Sequence, residues 1–484
     1  MNAAVRILEW PAGTEDGQSS LWDAVSIARS VKGTARAEFQ ASGVEIDSRD
    51  VRPGDLFFAL KGEATDGHRF VEGALASGAA AVVVDRAVEG PHVLVGDTTD
   101  ALERLGAAAR ERTRARIIGV TGSVGKTGVK EALFAALDRG SRGRAHRSVK
   151  SYNNHVGVPL SLARMPAQSR YGIFEMGMNH AGEIAALTRQ VRPHVAVITT
   201  IAPAHIEMLG SEEAIADAKA EIFEGLEPGG VAVIPADSPH FMRLHSRAKA
   251  SGAKIVSFGK AAHADVRLLD AVAAPGGGSL VTIDMGDRRL CYTVASPGEH
   301  WIVNSLSVMA AVRAVGGDLG AAGLALGEME GLAGRGARVS IRAKDGEALL
   351  IDESYNANPA SMRATLSQLG ATAARRRIAV LGAMKELGTH GPDFHAGLAG
   401  PIRDAQVDFA ILVGEEMRAL AEELGKSGES ALGNSLPFAH CKSVEEAVDT
   451  LRNFGLERDD AVLVKGSNSV GLASLVTALS TQEG

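Results

Sequence analysis

The chain has 484 residues, 45% hydrophobic and 23% charged, with a formal net charge of −7. It is too long for one core, and a balance this negative with no Lys/Arg block leaves nothing to grip nucleic acid. Only two cysteines occur, Cys291 and Cys441, far apart and outside any CxxC, so neither a disulfide frame nor a thiolate zinc site is encoded.

The first twenty or so residues are weakly patterned. They carry Glu9, Glu15 and Asp16 and lack a basic start before an apolar run, so they do not read as a signal peptide. Between residues 43 and 113, LFFAL (56–60) and AAVVVD (80–85) are strand-like, with a helix in FVEGALASG (70–78) stopping at Gly78 and another over about 100–113. From Ala115 the pattern is regular. RIIGV, YGIFEM, HVAVITT, GVAVIP and KIVSF read as strands, and a helical segment follows each of the first four. Such alternation implies a parallel sheet covered by helices on both faces. A β-rich patch interrupted by PGGG (275–278) follows, then a helix over about 300–315 and a Gly-rich linker, GLAGRGA (331–337). The alternation restarts in EALLID, RIAVLG, VDFAILVG and DAVLVKG. The expectation is an α/β protein of three domains. Residues 1–113 form a smaller N-terminal α/β domain, 114–334 a central P-loop parallel-sheet domain, and 335–484 a Rossmann-like domain. Apolar runs such as VAVITTIA (195–202) are too short to span a bilayer, so a cytoplasmic chain without membrane insertion is expected.

RIIGV, TGSVGKT and GVKEALFAAL form a strand, a loop and a helix. Gly122 and Gly125 let the backbone around Ser123 and Val124 turn its N–H groups toward an anion, and the helix N-terminus adds partial positive charge. Lys126 can reach the outer phosphates of a nucleotide, and Thr127 can place its hydroxyl on Mg²⁺. Val120 stands where the long form of this signature has its first glycine, so the loop is a shorter variant. YGIFEMG ends its apolar run on Glu175, which places a carboxylate at the C-terminal edge of the sheet, suited to a metal ion. By itself it would read as a surface glutamate at a strand end. No NKxD base-reading motif occurs, which weighs against a GTPase switch.

SEEAIADAKAEIFEGL (211–226) opens on Ser211 as an N-cap with two acids in the first turn. Helical spacing places Lys219 among Ile215, Ile222 and Phe223 on the apolar face. A lysine there either snorkels or is chemically special, since burial favours a neutral amine that can add CO₂ and become a carbamate. His205 follows the VAVITT strand in IAPAHIEMLGS, at the same sheet edge as Glu175. A lone histidine is usually structural, but these two with a carbamylated Lys219 would form one magnesium-binding group.

These motifs resemble the Mur ligases, ATP-dependent amide-forming enzymes of peptidoglycan synthesis, from about residue 43 to 475. DSRDVRPGDLFFALKGEATDGHRF (47–70) is similar to their UDP-sugar-binding region. TGSVGKT, YNNHVGVPL, FEMGMNHAGEI, APAHIEMLGS and DAKAEIF follow in the family's order. DESYNANPASM (352–362) looks most like the member that adds D-alanyl-D-alanine to UDP-N-acetylmuramoyl-tripeptide, and the DNPR motif of the neighbouring ligase is missing. The resemblance implies ATP and Mg²⁺ at Lys126 and Thr127, magnesium at Glu175 and His205, and a carbamylated Lys219. It implies nucleotide contacts from Asn304 and Arg335, a site for the nucleotide or substrate near Asn153 and Asn154, and closure of Asp352, Tyr355, Asn356 and Asn358 on ATP and the dipeptide. Ser48, Arg49, Asp66 and His68 match the UDP-binding positions, and His300 begins the HNxxN-like helix. Trp301 replaces the first Asn of that motif, Ala383 a usual Asp in LGAMKELG, and Asn468 the Arg common after KGS, while Arg335 follows Ala333-Gly334 rather than Pro-Gly.

The implied reaction passes the γ-phosphoryl of ATP to the tripeptide carboxylate, and the dipeptide amine then displaces phosphate. A monomer is expected, with a hinge at the Gly-rich linker closing on ATP. The alternatives are another Mur ligase, a folylpolyglutamate-type ligase or, in a different class, a nucleotide-dependent switch or binding protein.

Overall fold

The computed structural model describes residues 20–62, 65–203, 206–274, 278–426 and 436–481. The chain divides into two units, one of Met1–Arg114 with His155–Ser169, the other of Ala115–Asn154 with Arg170–Gly484.

In the first unit the apolar runs become a five-stranded sheet in the order Thr34–Ala35, His92–Leu94, Ala81–Val84, Asp55–Phe58, Gly43–Glu45. Its pairs are parallel except the first. Phe57, Val82 and Val84 bury against Val71 and Ala74 of the helix Val71–Ala76. Gly78, with φ +96°, then turns the chain as expected. The helix Thr98–Arg112 starts where the Asp97 carboxylate accepts from the N–H groups of Thr99 and Asp100. The sequence reading did not foresee that 155–169 joins this unit. The helix Gly157–Ala163 packs on Thr98–Arg112 at Gly106, where a Cβ would lie 2.8 Å from the Pro159 carbonyl oxygen. The Trp22 indole N–H donates to the Ala163 carbonyl at 2.8 Å, and the Arg112 guanidinium lies 3.5 Å over the Trp22 ring. Burial lowers Arg112 to about 10.

The second unit holds two further sheets. The larger has nine strands in the order Arg289–Val294, Ser279–Asp284, Val266–Ala273, Lys254–Gly259, Val231–Pro235, Val195–Ile198, Arg116–Thr121, Tyr171–Glu175, Ala145–Arg147. It is parallel from Ala145–Arg147 to Val266–Ala273 and antiparallel beyond. The β-rich patch is therefore an extension of the main sheet. Residues of the helices Lys126–Ser141, Glu299–Ala314 and Leu319–Glu328 share a core with Ile118, Val120, Val197 and Val233. The helix Glu183–Val191 also packs on the central strand. The strand Arg116–Thr121 is flanked by Tyr171–Glu175 on one side and Val195–Ile198 on the other. The chain leaves Arg116–Thr121 toward Ala145–Arg147 and leaves its neighbour Val195–Ile198 toward Val231–Pro235 on the opposite side, which makes the C-terminal ends of these two strands the topological switch point where such sheets bind ligands.

The second sheet runs Ala337–Ala343, Gly346–Glu353, Ala461–Lys465, Arg377–Gly382, Phe409–Val413, Phe438–Cys441, antiparallel in its first pair and parallel after it. The four runs read from the sequence are its four inner strands. The two edge strands and the helix Leu319–Glu328 were not read. No helix of the described residues is long and apolar enough to cross a membrane.

Candidate active site

Four residues, Gly122 to Gly125, connect the strand Arg116–Thr121 to the helix Lys126–Ser141. Gly122 has φ +151°, and a Cβ there would collide with Thr199 Oγ1; Gly125, with φ +86°, forms the helix cap. The loop is pinned to the chain after the next strand. Ser123 N–H donates to Thr200 O at 2.7 Å, Ser123 Oγ to Ala202 O at 2.8 Å, and Thr199 Oγ1 to Val124 O at 2.5 Å. Lys126 Nζ folds back to donate to Gly122 O at 2.7 Å. Burial lowers its pKa, Glu175 opposes the shift, and Arg335 adds to it, so three charges meet around this loop.

Glu175 ends its strand beside Val120 of the central strand, which brings the buried carboxylate to the loop. Its Oε2 accepts from Thr127 Oγ1 at 2.8 Å and its Oε1 from Asn153 Nδ2 at 2.9 Å, while its N–H donates to Ser148 Oγ. Lys219 is 1% exposed near the end of the helix Glu212–Ala220, which Ser211 caps as expected; the chain then tightens into a 3₁₀ turn over Glu221–Gly225. Ile215, Ile222 and Phe223 are buried with it. Loss of hydration, then the Lys126 charge, push the Lys219 amine well below the usual lysine pKa. His205 lies outside the described residues. Among those described, no group of three His, Cys, Asp or Glu side chains is placed to hold a metal.

The opposite wall comes from the second sheet. Arg335 stacks 4.2 Å over the Tyr355 ring and its Nη2 donates to Ser151 Oγ at 3.2 Å. Asn358 caps the helix Pro359–Ala371 in a reciprocal box with Ser361. A cavity of about 350 Å³ is lined by Ser123, Val124, Gly125, Lys126, Asn153, Glu175, Lys219, His300, Asn304, Arg335, Tyr355, Asn356 and Asn358. Thr127 is tied to it through Glu175. Asn154 is exposed and Asp352 does not line it. The Asp352 carboxylate is taken up by Gly334 N–H, Ser354 N–H and Ser354 Oγ.

Three family models match the chain: Mur ligase family, catalytic domain, over residues 40–142; Mur ligase middle domain over 120–312; and Mur ligase, glutamate ligase domain, over 337–468. A UDP-N-acetylmuramoyl-tripeptide–D-alanyl-D-alanine ligase of Synechocystis sp. is 35% identical over 451 residues, covering 91% of this chain and 92% of that protein. This chain belongs to the Mur ligase family. Among solved structures, MurF from Acinetobacter baumannii is similar with a TM-score of 0.80 and 29% identity, covering 95% of this chain and 98% of that one. MurF ligase from Thermotoga maritima in complex with ADP has a TM-score of 0.72 and 25% identity, covering 90% and 96%.

Two residues of this Mur ligase that line the cavity went unread in the sequence, Glu353 and Lys465. They end neighbouring strands as register partners. Lys465 Nζ donates to Glu353 Oε2 at 3.3 Å and to Asn356 O at 2.9 Å, and burial lowers its pKa despite the carboxylate. The signal available was two strand-like runs, GEALLIDE and DAVLVK, each ending on a charge, but pairing them needs the register. Asn468 also lines the cavity. The remaining predicted residues belong to the first unit. There His68 Nδ1 and Asp66 Oδ1 are 2.7 Å apart, Arg86 donates to Asp66 Oδ2 at 2.8 Å, and Asp85 N–H donates to His68 Nε2. Arg86 chiefly, then the His68 N–H groups, hold the Asp66 carboxyl far below the usual range. Arg49 is exposed and paired with Asp47 at 2.6 and 2.9 Å, and Ser48 between them is half-buried.

Proposed function

We propose that this Mur ligase joins D-alanyl-D-alanine to UDP-N-acetylmuramoyl-tripeptide at the expense of ATP, in cytoplasmic peptidoglycan precursor synthesis, and that it works as a monomer. The supporting observation is one cavity with the phosphate loop, Thr127–Glu175 and Lys219 on one wall and the YNANP segment on the other. The proposed domains are 1–113 for the UDP substrate, 114–334 for ATP and 335–484 for the dipeptide.

In the first step a tripeptide carboxylate oxygen bonds to the γ-phosphorus, the bond to ADP breaks, and an acyl phosphate forms. Two anions must approach, and unit charges ~4 Å apart repel by about 4 kcal/mol at an effective dielectric of 20. Lys126 and the N–H groups of the loop hold the phosphate oxygens and offset that repulsion; Arg335 adds a second cation from the opposite wall. In the second step the dipeptide amine bonds to the acyl carbon, phosphate leaves with the bonding electrons, and the ammonium proton is lost. Asn356 and Asn358 place the dipeptide, and Asn304 faces the nucleotide base. Ser48, Arg49, Asp66 and His68 hold the UDP moiety, and Asn153 and Asn154 flank the nucleotide.

The donor set fits magnesium. Thr127 Oγ1 and a Glu175 carboxylate oxygen are adjacent hard ligands, and Mg²⁺ keeps most of its shell as water and phosphate oxygens. When bound, the ion polarises the γ-phosphoryl oxygens and neutralises developing charge. Lys219 cannot ligate as an ammonium. As a carbamate it is an anionic oxygen donor, and Lys126 nearby favours that charge; His205 is the remaining proposed ligand.

The test supplies ATP and UDP-tripeptide with and without D-alanyl-D-alanine. Phosphate release should rise severalfold with the dipeptide and match amide formed. Release indifferent to the dipeptide would replace the ligase reading with a nucleotide-hydrolysing switch.

A further inference from the structure

Two residues of the phosphate-loop segment face two side chains of the helix Glu299–Ala314 at matching spacing. A Cβ at Gly125 would lie 3.0 Å from Asn304 Nδ2, and one at Gly128 would lie 2.9 Å from Trp301 Cη2 and 3.1 Å from Cζ2. The partners are three residues apart on both segments, so the two contacts sit about one helical turn apart. Lys126 and Thr127 lie between them. Gly128 stands inside the helix Lys126–Ser141, where glycine is disfavoured relative to alanine, and it shows no positive φ that would require glycine. What excludes a side chain there is the indole. Trp301 is half-buried and lines the same cavity as Lys126 and Glu175.

We propose that Trp301 is a positioning residue for phosphoryl transfer: its indole, seated on Gly128, fixes the first turn of the phosphate-loop helix and thereby the Lys126 ammonium and Thr127 hydroxyl. This rests on the reading above that the loop holds the phosphates of ATP. Asn304 braces the loop at the helix cap and Trp301 braces it one turn later, so the segment carrying both functional side chains is clamped at each end. The indole and Gly128 form a matched pair, a large side chain accommodated by the lack of one.

The experiment is a double-mutant cycle on the full chain with Gly128→Ser, Trp301→Asn and the double variant. It reads ADP affinity by calorimetry, kcat and KM for ATP in ligation, and the melting curve of each protein. With Trp301 present, Gly128→Ser should weaken ADP binding and lower kcat by about tenfold or more, because a misplaced helix turn misaligns the phosphates. In the Trp301→Asn background the same substitution should cost no more than about twofold, the range of independent effects. A serine penalty equal in both backgrounds overturns the proposal. If Gly128→Ser does not fold, Gly128→Ala takes its place in the cycle. A merely structural contact would lower the melting temperature while leaving kcat and ADP affinity unchanged, and that outcome also overturns it. The expected ADP pattern with no amide formed by any of the four proteins would sink the ligase reading while leaving the role of Trp301 intact.

Discussion

Lys219 and Lys465 are both buried, and loss of hydration is the main cause holding each below the ordinary lysine pKa, yet their surroundings are opposite. Lys465 ends its strand beside Glu353 and donates to that carboxylate and to Asn356 O. Lys219 lies with Ile215, Ile222 and Phe223, makes no hydrogen bond or ion pair among the described residues, and feels another cation, Lys126, as its next influence. An unpaired buried charge costs several kcal/mol. Lys465 has a carboxylate partner that offsets this cost. At Lys219 the same cost favours a neutral amine or its conversion to an anion, and Lys126 draws in the same direction.

The largest effect should come from breaking this contrast at Lys219. Lys219→Ala is expected to lower kcat by about 10²–10³-fold, the range for removing one electrostatic stabiliser, and formate or acetate should restore part of it. Lys465→Ala should show no such rescue. Full activity of unrescued Lys219→Ala would remove the carbamate from the mechanism.

Next in size is Lys465→Met, which leaves Glu353 and Asn356 O without their donor. Chemical denaturation should show a loss of about 1–3 kcal/mol. The KM for the dipeptide should rise about tenfold, a loss of about one good contact, with ADP affinity unchanged. A normal KM would make the pair a structural prop of the sheet.

The smallest effect concerns His395, which holds the chain just past the strand Arg377–Gly382. Its Nε2 accepts from Met384 N–H and its Nδ1 donates to Gly391 O, while the next residue, Lys385, donates its N–H to Ser467 Oγ two positions past Lys465. Burial lowers the His395 pKa below 6.5. As pH falls through 6.5 the unfolded chain takes up a proton that the folded chain refuses, so stability falls until the folded value is passed. Melting temperature measured from pH 8 to 5 should drop more steeply in the native protein than in His395→Gln, whose amide can keep both bonds. Identical slopes would remove His395 from the pH response.

What the sequence made legible was local. TGSVGKT is contiguous, and Glu175 could be placed because an apolar run ending on a carboxylate marks a strand end. Lys219 stood out because one helix turn carries its apolar neighbours. Long-range consequences of register were out of reach. Glu353 and Lys465 are separated by 112 positions and meet only because their strands pair in parallel. The helix Gly157–Ala163 joins the first unit through Gly106 and Trp22, contacts that no periodicity announces. Asp352 read as a nucleotide contact from its motif, but the structure shows its oxygens occupied by Gly334 and Ser354.

That arrangement at Asp352 has a mechanical corollary. Gly334 N–H binds the Asp352 carboxylate, Gly336 N–H its carbonyl, and Tyr355 N–H the Gly334 carbonyl, while Arg335 N–H and Ala337 N–H both return to Leu332 O. Residues 332–337 are thus lashed to the second sheet, and a hinge of the kind expected at the Gly-rich linker would have to turn ahead of Leu332. A rotation of that sheet would carry the Arg335 guanidinium along with the Tyr355 ring it stacks on, so in the proposed reaction the cation would travel to the phosphates together with that tyrosine.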